Sequence, residues 1–144
     1  MIKKTVLVVG GAGYIGSHTC WLLYKHGYEV IILDAFLHQQ NFNPPWAKLI
    51  KGDFANQKLL KNIFTNYKID VVMHFAAFIE VGESVKKPKD FYNNNVTKTL
   101  TLLNIMLEYN IKKIIFSSSC AVYGIPQKLP DRKSTRLNSS HRIR

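Results

Sequence analysis

The sequence predicts an α/β chain folded as a doubly wound parallel sheet, and three observations lead there. Short apolar, β-branched runs recur along the chain. Segments with apolar residues at helical spacing separate them. A glycine-rich turn joins the first run to the first helix. Strands that are apolar throughout are buried on both faces, and helices that cover both faces of a sheet imply parallel strands.

The elements follow in order. Thr5–Val9 is the first strand. Tyr14–His26 is helical, with Ile15, Thr19, Leu22 and Leu23 on one face and Gly27 as its stop. Glu29–Leu33 is a second strand. The segment from Ala35 to Trp46 is a loop, because Pro44-Pro45 forbids regular structure. Lys48–Ile50 is a short third strand, and Gln57–Tyr67 is a helix presenting Leu59, Leu60, Ile63 and Phe64. Val71–Phe75 is the fourth strand. Val96, Leu100, Leu103 and Leu107 recur at i, i+4, i+7 and i+11 in a long helix that ends near Asn110. Lys113–Ser117 is the fifth strand.

Charge divides the chain. The 144 residues carry a formal net charge of +11, which on its own suggests a nucleic-acid partner. All four arginines, however, lie in the last stretch: Arg132, Arg136, Arg142 and Arg144. The preceding lysines are dispersed, so we expect no nucleic-acid partner. The run from Asp131 to His141 lacks periodicity and resembles a sequencing-library adapter translated as codons. We therefore expect an incomplete domain over residues 1–130 and a disordered, non-native tail over 131–144. No strand would then follow the fifth, leaving it as an apolar edge.

The start at Lys3 and Lys4 superficially resembles a signal peptide, but its apolar run breaks at Gly10-Gly11. No stretch approaches the roughly 18 apolar residues of a membrane span. Cys20 and Cys120 have no metal-ligand spacing, so we expect no metal, no membrane and a cytoplasmic protein with two free thiols.

Gly10-Gly-Ala-Gly13-Tyr-Ile-Gly16 fits G-x-x-G-x-x-G between a strand and a helix. Glycine permits the tight turn and lets backbone approach a pyrophosphate, whose charge the helix start stabilises. Gly16 allows close packing of helix on strand. Asp34, eighteen residues later, suits the two hydroxyls of an adenosine ribose, or alternatively starts a turn. It would repel a 2′-phosphate, and Ala35-Phe36-Leu37 offers no base, so NAD is favoured over NADP. Asp53, after the third strand, can reach an adenine amino group or cap the helix at Gln57. His74-Phe75-Ala76-Ala77 ends the fourth strand with small residues along which a cofactor can lie. His74 itself reads as structural rather than catalytic.

These segments, with Val-Gly-Glu-Ser-Val (81–85), Tyr-Asn-Asn-Asn-Val (92–96) and Phe-Ser-Ser-Ser-Cys-Ala-Val-Tyr-Gly (116–124), resemble the extended short-chain dehydrogenase/reductase family. Within it they look like the UDP-glucose (UDP-hexose) 4-epimerases. The resemblance implies a Rossmann domain with bound NAD, a UDP-sugar substrate and a homodimeric full-length parent. It implies that Gly10, Gly13, Tyr14, Ile15 and Gly16 serve the pyrophosphate turn, Asp34 the ribose, and Asp53 and Phe54 the adenine. Phe75, Ala76, Ala77 and Ile79 would line the nicotinamide-ribose side, and Asn94 would bind the cofactor. Ser119 would hydrogen-bond the sugar 4-hydroxyl. Many epimerases carry Lys where this chain has Ile79, and the loop after Asp34 lacks their Asn/Ser pattern.

The implied chemistry takes a hydride from sugar C4 to NAD and returns it to the other face, with a tyrosine of a Y-x-x-x-K helix as base. The one Y-x-x-x-K here, Tyr109 to Lys113, lies upstream of Ser119 and reads as coincidence. The chain is therefore expected to be an inactive N-terminal fragment. Sugar-nucleotide 4,6-dehydratases resemble it less, because Cys120-Ala121 stands where they carry an Asp-Glu pair. Another UDP-sugar epimerase, a decarboxylase, or a non-catalytic NAD-sensing protein remain alternatives.

Overall fold

The computed structural model describes residues 3–37 and 42–119. The adapter-like tail, Cys120 and Tyr123 lie outside the described residues.

Five strands form one parallel sheet in the order β3-β2-β1-β4-β5. They are β1 (Thr5–Val9), β2 (Glu29–Asp34), β3 (Lys48–Lys51), β4 (Val71–His74) and β5 (Ile114–Phe116). β1 lies at the centre, with Leu7 opposite Ile31 on one side and Val72 on the other. All five β1 residues are buried, and Val6 to Val9 supply apolar side chains to both faces, while Thr5 Oγ1 is satisfied by donating to Glu29 Oε2 at 3.1 Å.

Helices cover both faces. Leu7, Val9, Ile31, Leu33 and Val72 pack with Leu60, Ile63 and Phe64 of α2 (Gln57–Asn66) and with Leu102, Ile105 and Met106 of α5 (Lys98–Glu108). On the other face Val6, Val8, Val30 and Ile32 pack with Cys20 of α1 (Tyr14–Lys25) and with Leu23, Phe42 and Trp46. The expected doubly wound arrangement is thus present. Asn56 caps α2 through Oδ1, which accepts from Leu59 N at 3.1 Å.

Two helix faces differ from expectation. In α1 the buried residues are Gly16 and Cys20, while Ile15 and Leu22 are exposed. The backbone contact at Gly16 fixes this rotation, turning the more apolar Ile15 outward. In α5 the inward stripe is Leu102, Ile105 and Met106; Val96, Leu100 and Leu107 are exposed and Leu103 is half-buried. The long helix is also not uniform. A π-helical turn, Asn93–Thr97, precedes α5, and two short helices, α3 (Val81–Lys86) and α4 (Pro88–Tyr92), precede that turn. Leu100 and Leu107 lie at helical spacing on the outer side of α5 itself, so an apolar count through them selects that side and not the buried one.

β5 pairs only with β4 among the described residues, and Ile115 and Phe116 are exposed. Among the described residues no helix is long and apolar enough to cross a membrane.

Candidate functional site

The direction in which successive strands are added reverses between β1 and β4, β1 leading outward to β2 on one side and β4 to β5 on the other. Open parallel sheets bind ligands in the crevice at such a point. A cavity of about 350 Å³ lies there.

The glycine turn forms one wall. Gly10 has φ +77°, a conformation costly for any residue with a Cβ, and its N–H donates to Leu33 O at 2.9 Å. A Cβ at Gly10 would lie 2.6 Å from Ala76 N, so backbone meets backbone across the crevice. A Cβ at Gly16 would lie 2.2 Å from Gly10 O. Gly13 caps α1 without a side-chain acceptor, and the first turn contains no acid. The first-turn amides therefore keep their affinity for an anion.

Asp34 both joins two segments and faces the cavity. Its Oδ2 accepts from Ala12 N at 2.9 Å and its Oδ1 from Phe36 N at 2.8 Å. It thus starts a turn, as one reading held, and also fastens the glycine loop to β2. Phe36 adopts φ +56° in that turn. Lys51 lies opposite Asp34 in the β2–β3 register, with its ammonium 5.9 Å from the Phe36 ring centre. The expectation of no base near Asp34 considered only the following loop. Lys51 arrives from the neighbouring strand.

Asp53 does not cap α2. Its Oδ1 accepts from Ala55 N at 2.8 Å, and its Oδ2 forms an ion pair with Lys98 Nζ. Phe54, Phe75, Ala76, Ala77 and Asn94 line the same cavity. Phe75 N donates to Val9 O at 2.8 Å and pins the end of β4 beside the glycine turn. Asn95 clamps the next stretch: its Oδ1 accepts from Phe78 N at 2.8 Å and its Nδ2 donates to Phe78 O at 2.9 Å. Asn94 Nδ2 donates to the same Oδ1 at 3.0 Å, which orients the Asn94 amide at the cavity.

His74 sits behind this wall, 1% exposed, between the Phe54 and Phe116 rings. Burial pushes its pKa down to about 4. Thr99 Oγ1 donates to Asn95 O at 2.9 Å, so it accepts from His74 Nε2 at 3.2 Å. The ring is therefore the neutral Nε2–H tautomer. His74 is not among the residues that line the cavity. Cys20 is buried too; burial first, and the Asp34 charge after it, raise its thiol pKa to about 12.

The cavity thus gathers Gly10, Gly13, Asp34, Asp53, Phe54, Phe75, Ala76, Ala77 and Asn94. Gly16 lies buried under the loop, while Tyr14, Ile15 and Ile79 are exposed outside the cavity wall. Ser119 follows β5 on exposed chain, next to Ser118 at φ +57°. Sequence reasoning missed Lys98, which meets Asp53 only once the π-turn and the β3 end are folded together. Gly52, Phe78 and Leu37 also line the cavity without having been assigned roles. Among the described residues no group of three or more His, Cys, Asp or Glu could hold a metal ion.

Comparison with known proteins agrees with this fold. The profile of the NAD dependent epimerase/dehydratase family matches residues 6–142. A UDP-glucose 4-epimerase of Lactobacillus helveticus is 50% identical over 135 residues, covering 92% of this chain and 41% of that protein. The crystal structure of UDP-glucose 4-epimerase from Brucella ovis in complex with NAD superposes with TM-score 0.80 at 41% identity, covering 94% of this chain and 42% of that one. The enzyme from Bifidobacterium longum in complex with NAD+ and UDP gives TM-score 0.80 at 42% identity, covering 92% and 42%. The chain thus spans about two fifths of the length of these relatives. On the family match and the shared fold, the chain belongs to the NAD dependent epimerase/dehydratase family.

Proposed function

We propose that the cavity holds NAD and that the chain is the cofactor-binding part of a UDP-glucose 4-epimerase. The observation that carries this reading is the convergence of the Gly10–Gly16 turn, the Asp34 carboxylate and the Phe75–Ala77 backbone on one cavity at the switch point. The residues present fit the dinucleotide: α1 starts behind the Gly10–Gly13 wall of the cavity with neither a side-chain cap nor an acid in its first turn, and the Asp34 carboxylate lines the same cavity.

Gly10, Gly13, Tyr14 and Ile15 would present backbone to the pyrophosphate, with Gly16 keeping α1 close beneath them. Asp34 would take the ribose hydroxyls, and Asp53 and Phe54 the adenine. Phe75, Ala76, Ala77, Ile79 and Asn94 would hold the nicotinamide-ribose side. Bound NAD supplies the acceptance and return of a hydride at sugar C4; the chain's own residues orient it and exclude water. Ser119 would hydrogen-bond the sugar 4-hydroxyl of a UDP-sugar, a substrate class supported by the UDP complex of the Bifidobacterium relative.

Tyr109 is not the base. Its hydroxyl accepts from Thr65 Oγ1 at 3.3 Å and its ring packs on Phe64, against α2 and away from the crevice. The 144 residues accordingly have no epimerase turnover alone. The exposed aliphatic stripe of Val96, Leu100 and Leu107 suits a second copy of the full-length protein. The buried free thiol of Cys20 suits a cytoplasmic location. Residues 131–144 are proposed as foreign sequence, although the family match runs on to residue 142.

The test is to read the source DNA past the Pro130 codon, express the continuous reading frame and assay UDP-galactose against UDP-glucose. Interconversion by that protein, with none by the 144-residue chain, is expected. A full-length protein that binds NAD but lacks Y-x-x-x-K and turnover would establish the sensor alternative instead. Turnover by the 144-residue chain would refute the assignment of the base.

A further inference from the structure

We propose that Lys98 contacts the cofactor and grips the adenine ring jointly with Asp53. The inference rests on the NAD reading above and adds to it a residue and a recognition chemistry.

Lys98 is the first residue of α5, and Asp53 follows β3. They are 45 positions apart in sequence, yet Lys98 Nζ forms an ion pair with Asp53 Oδ2, and both side chains line the cavity beside Gly52, Phe54 and Asn94. The ion pair is not a surface accident of two long, freely solvated chains. The Lys98 side chain is only 25% exposed, and Asp53 is held by the Ala55 N–H on its other oxygen.

The ammonium has three N–H donors and uses one on Asp53, while Oδ2 keeps a second lone pair. The pair therefore presents a donor and an acceptor side by side at one end of the cavity. An adenine edge carries the complementary set, an amino donor beside a ring-nitrogen acceptor. A lone carboxylate would match only the amino group. The pair also carries no net charge, so the ring beside Phe54 does not face an unbalanced anion.

The experiment titrates the 144-residue chain and its Lys98→Met and Lys98→Arg variants with NAD and with AMP by calorimetry. The thermal midpoint of each ligand-free chain is recorded. Lys98→Met is expected to weaken NAD and AMP alike, by about tenfold, the size of one charge-assisted hydrogen bond. Lys98→Arg, which keeps donor and charge, stays within about threefold of the parent. The ligand-free midpoint of Lys98→Met stays within about 2 °C, because a part-exposed ion pair adds little to folding.

Unchanged or tighter binding by Lys98→Met overturns the proposal; tighter binding would mean that the lysine competes with adenine for Asp53. Weaker binding with a midpoint lowered by more than about 5 °C also overturns it, because the loss then follows from a damaged fold. If the parent chain binds neither NAD nor AMP, the NAD reading itself fails. If it binds both and Lys98→Met changes nothing, only this inference fails.

Discussion

Replacing Gly16 by alanine isolates the packing on which the glycine turn depends. The new Cβ would lie 2.2 Å from Gly10 O, 2.8 Å from Gly11 Cα and 3.0 Å from Gly10 C. All three are backbone atoms of the turn, so none can swing aside as a flexible side chain would. Overpacking of this kind costs about 1–3 kcal/mol, and an overlap of this depth belongs at the upper end. Removing a helical glycine returns about 1 kcal/mol. The net loss is about 2 kcal/mol, or about 6–8 °C in midpoint for a chain of this size. Gly82→Ala in α3 is the matched control, since nothing lies within 4 Å of its Cβ. That variant gains up to about 1 kcal/mol from helix propensity alone. Thermal unfolding followed by circular dichroism reads both. If Gly16→Ala melts with or above the parent, as Gly82→Ala does, the close approach of α1 to the turn is refuted.

Three further outcomes follow. His74 stays neutral in the fold down to about 4, against 6.5 when unfolded. The unfolded chain therefore takes up the proton first, and stability present above about pH 6.5 is lost as pH falls to 4, by about 3 kcal/mol in all. Urea midpoints of His74→Gln should fall less than those of the parent between pH 7 and 4.5; parallel profiles would contradict this. Cys20, with its thiol at about 12, should resist iodoacetamide at pH 8 in the folded chain and react once unfolded, as peptide mapping would show. Rapid native labelling of Cys20 would contradict its burial. Asp34→Asn removes the charge facing a 2′-phosphate while leaving Lys51 nearby, so the NAD/NADP affinity ratio should fall more than about tenfold. An unchanged ratio would remove Asp34 from the ribose site.

Legibility differed between strands and helices for a physical reason. β1 and β2 are buried on both faces, so a continuous apolar run leaves little choice of element or boundary. α1 and α5 carry apolar residues on more than one face, and periodicity alone cannot say which turns inward. In α1 the decision is made by Gly16, which must touch backbone. In α5 it is made by Leu102, Ile105 and Met106 against α2 and the sheet. The π-turn at Asn93–Thr97 is a register change that no simple apolar count registers, and α3 and α4 have no buried residue to announce them. The glycine turn, Asp34 and Asp53 were legible because each follows a strand at a spacing that backbone geometry fixes. The Lys98–Asp53 and Lys51–Asp34 juxtapositions were not, because they exist only once separate segments are folded together.

Binding of the dinucleotide by the folded 144-residue chain is the decisive property. Calorimetric titration of the chain with NAD, alongside Asp34→Asn, measures this. One site per chain, with NAD preferred over NADP and that preference lost in the variant, is the expected result. A chain with native circular dichroism that takes up no NAD, or binds NADP as well as NAD, would contradict it.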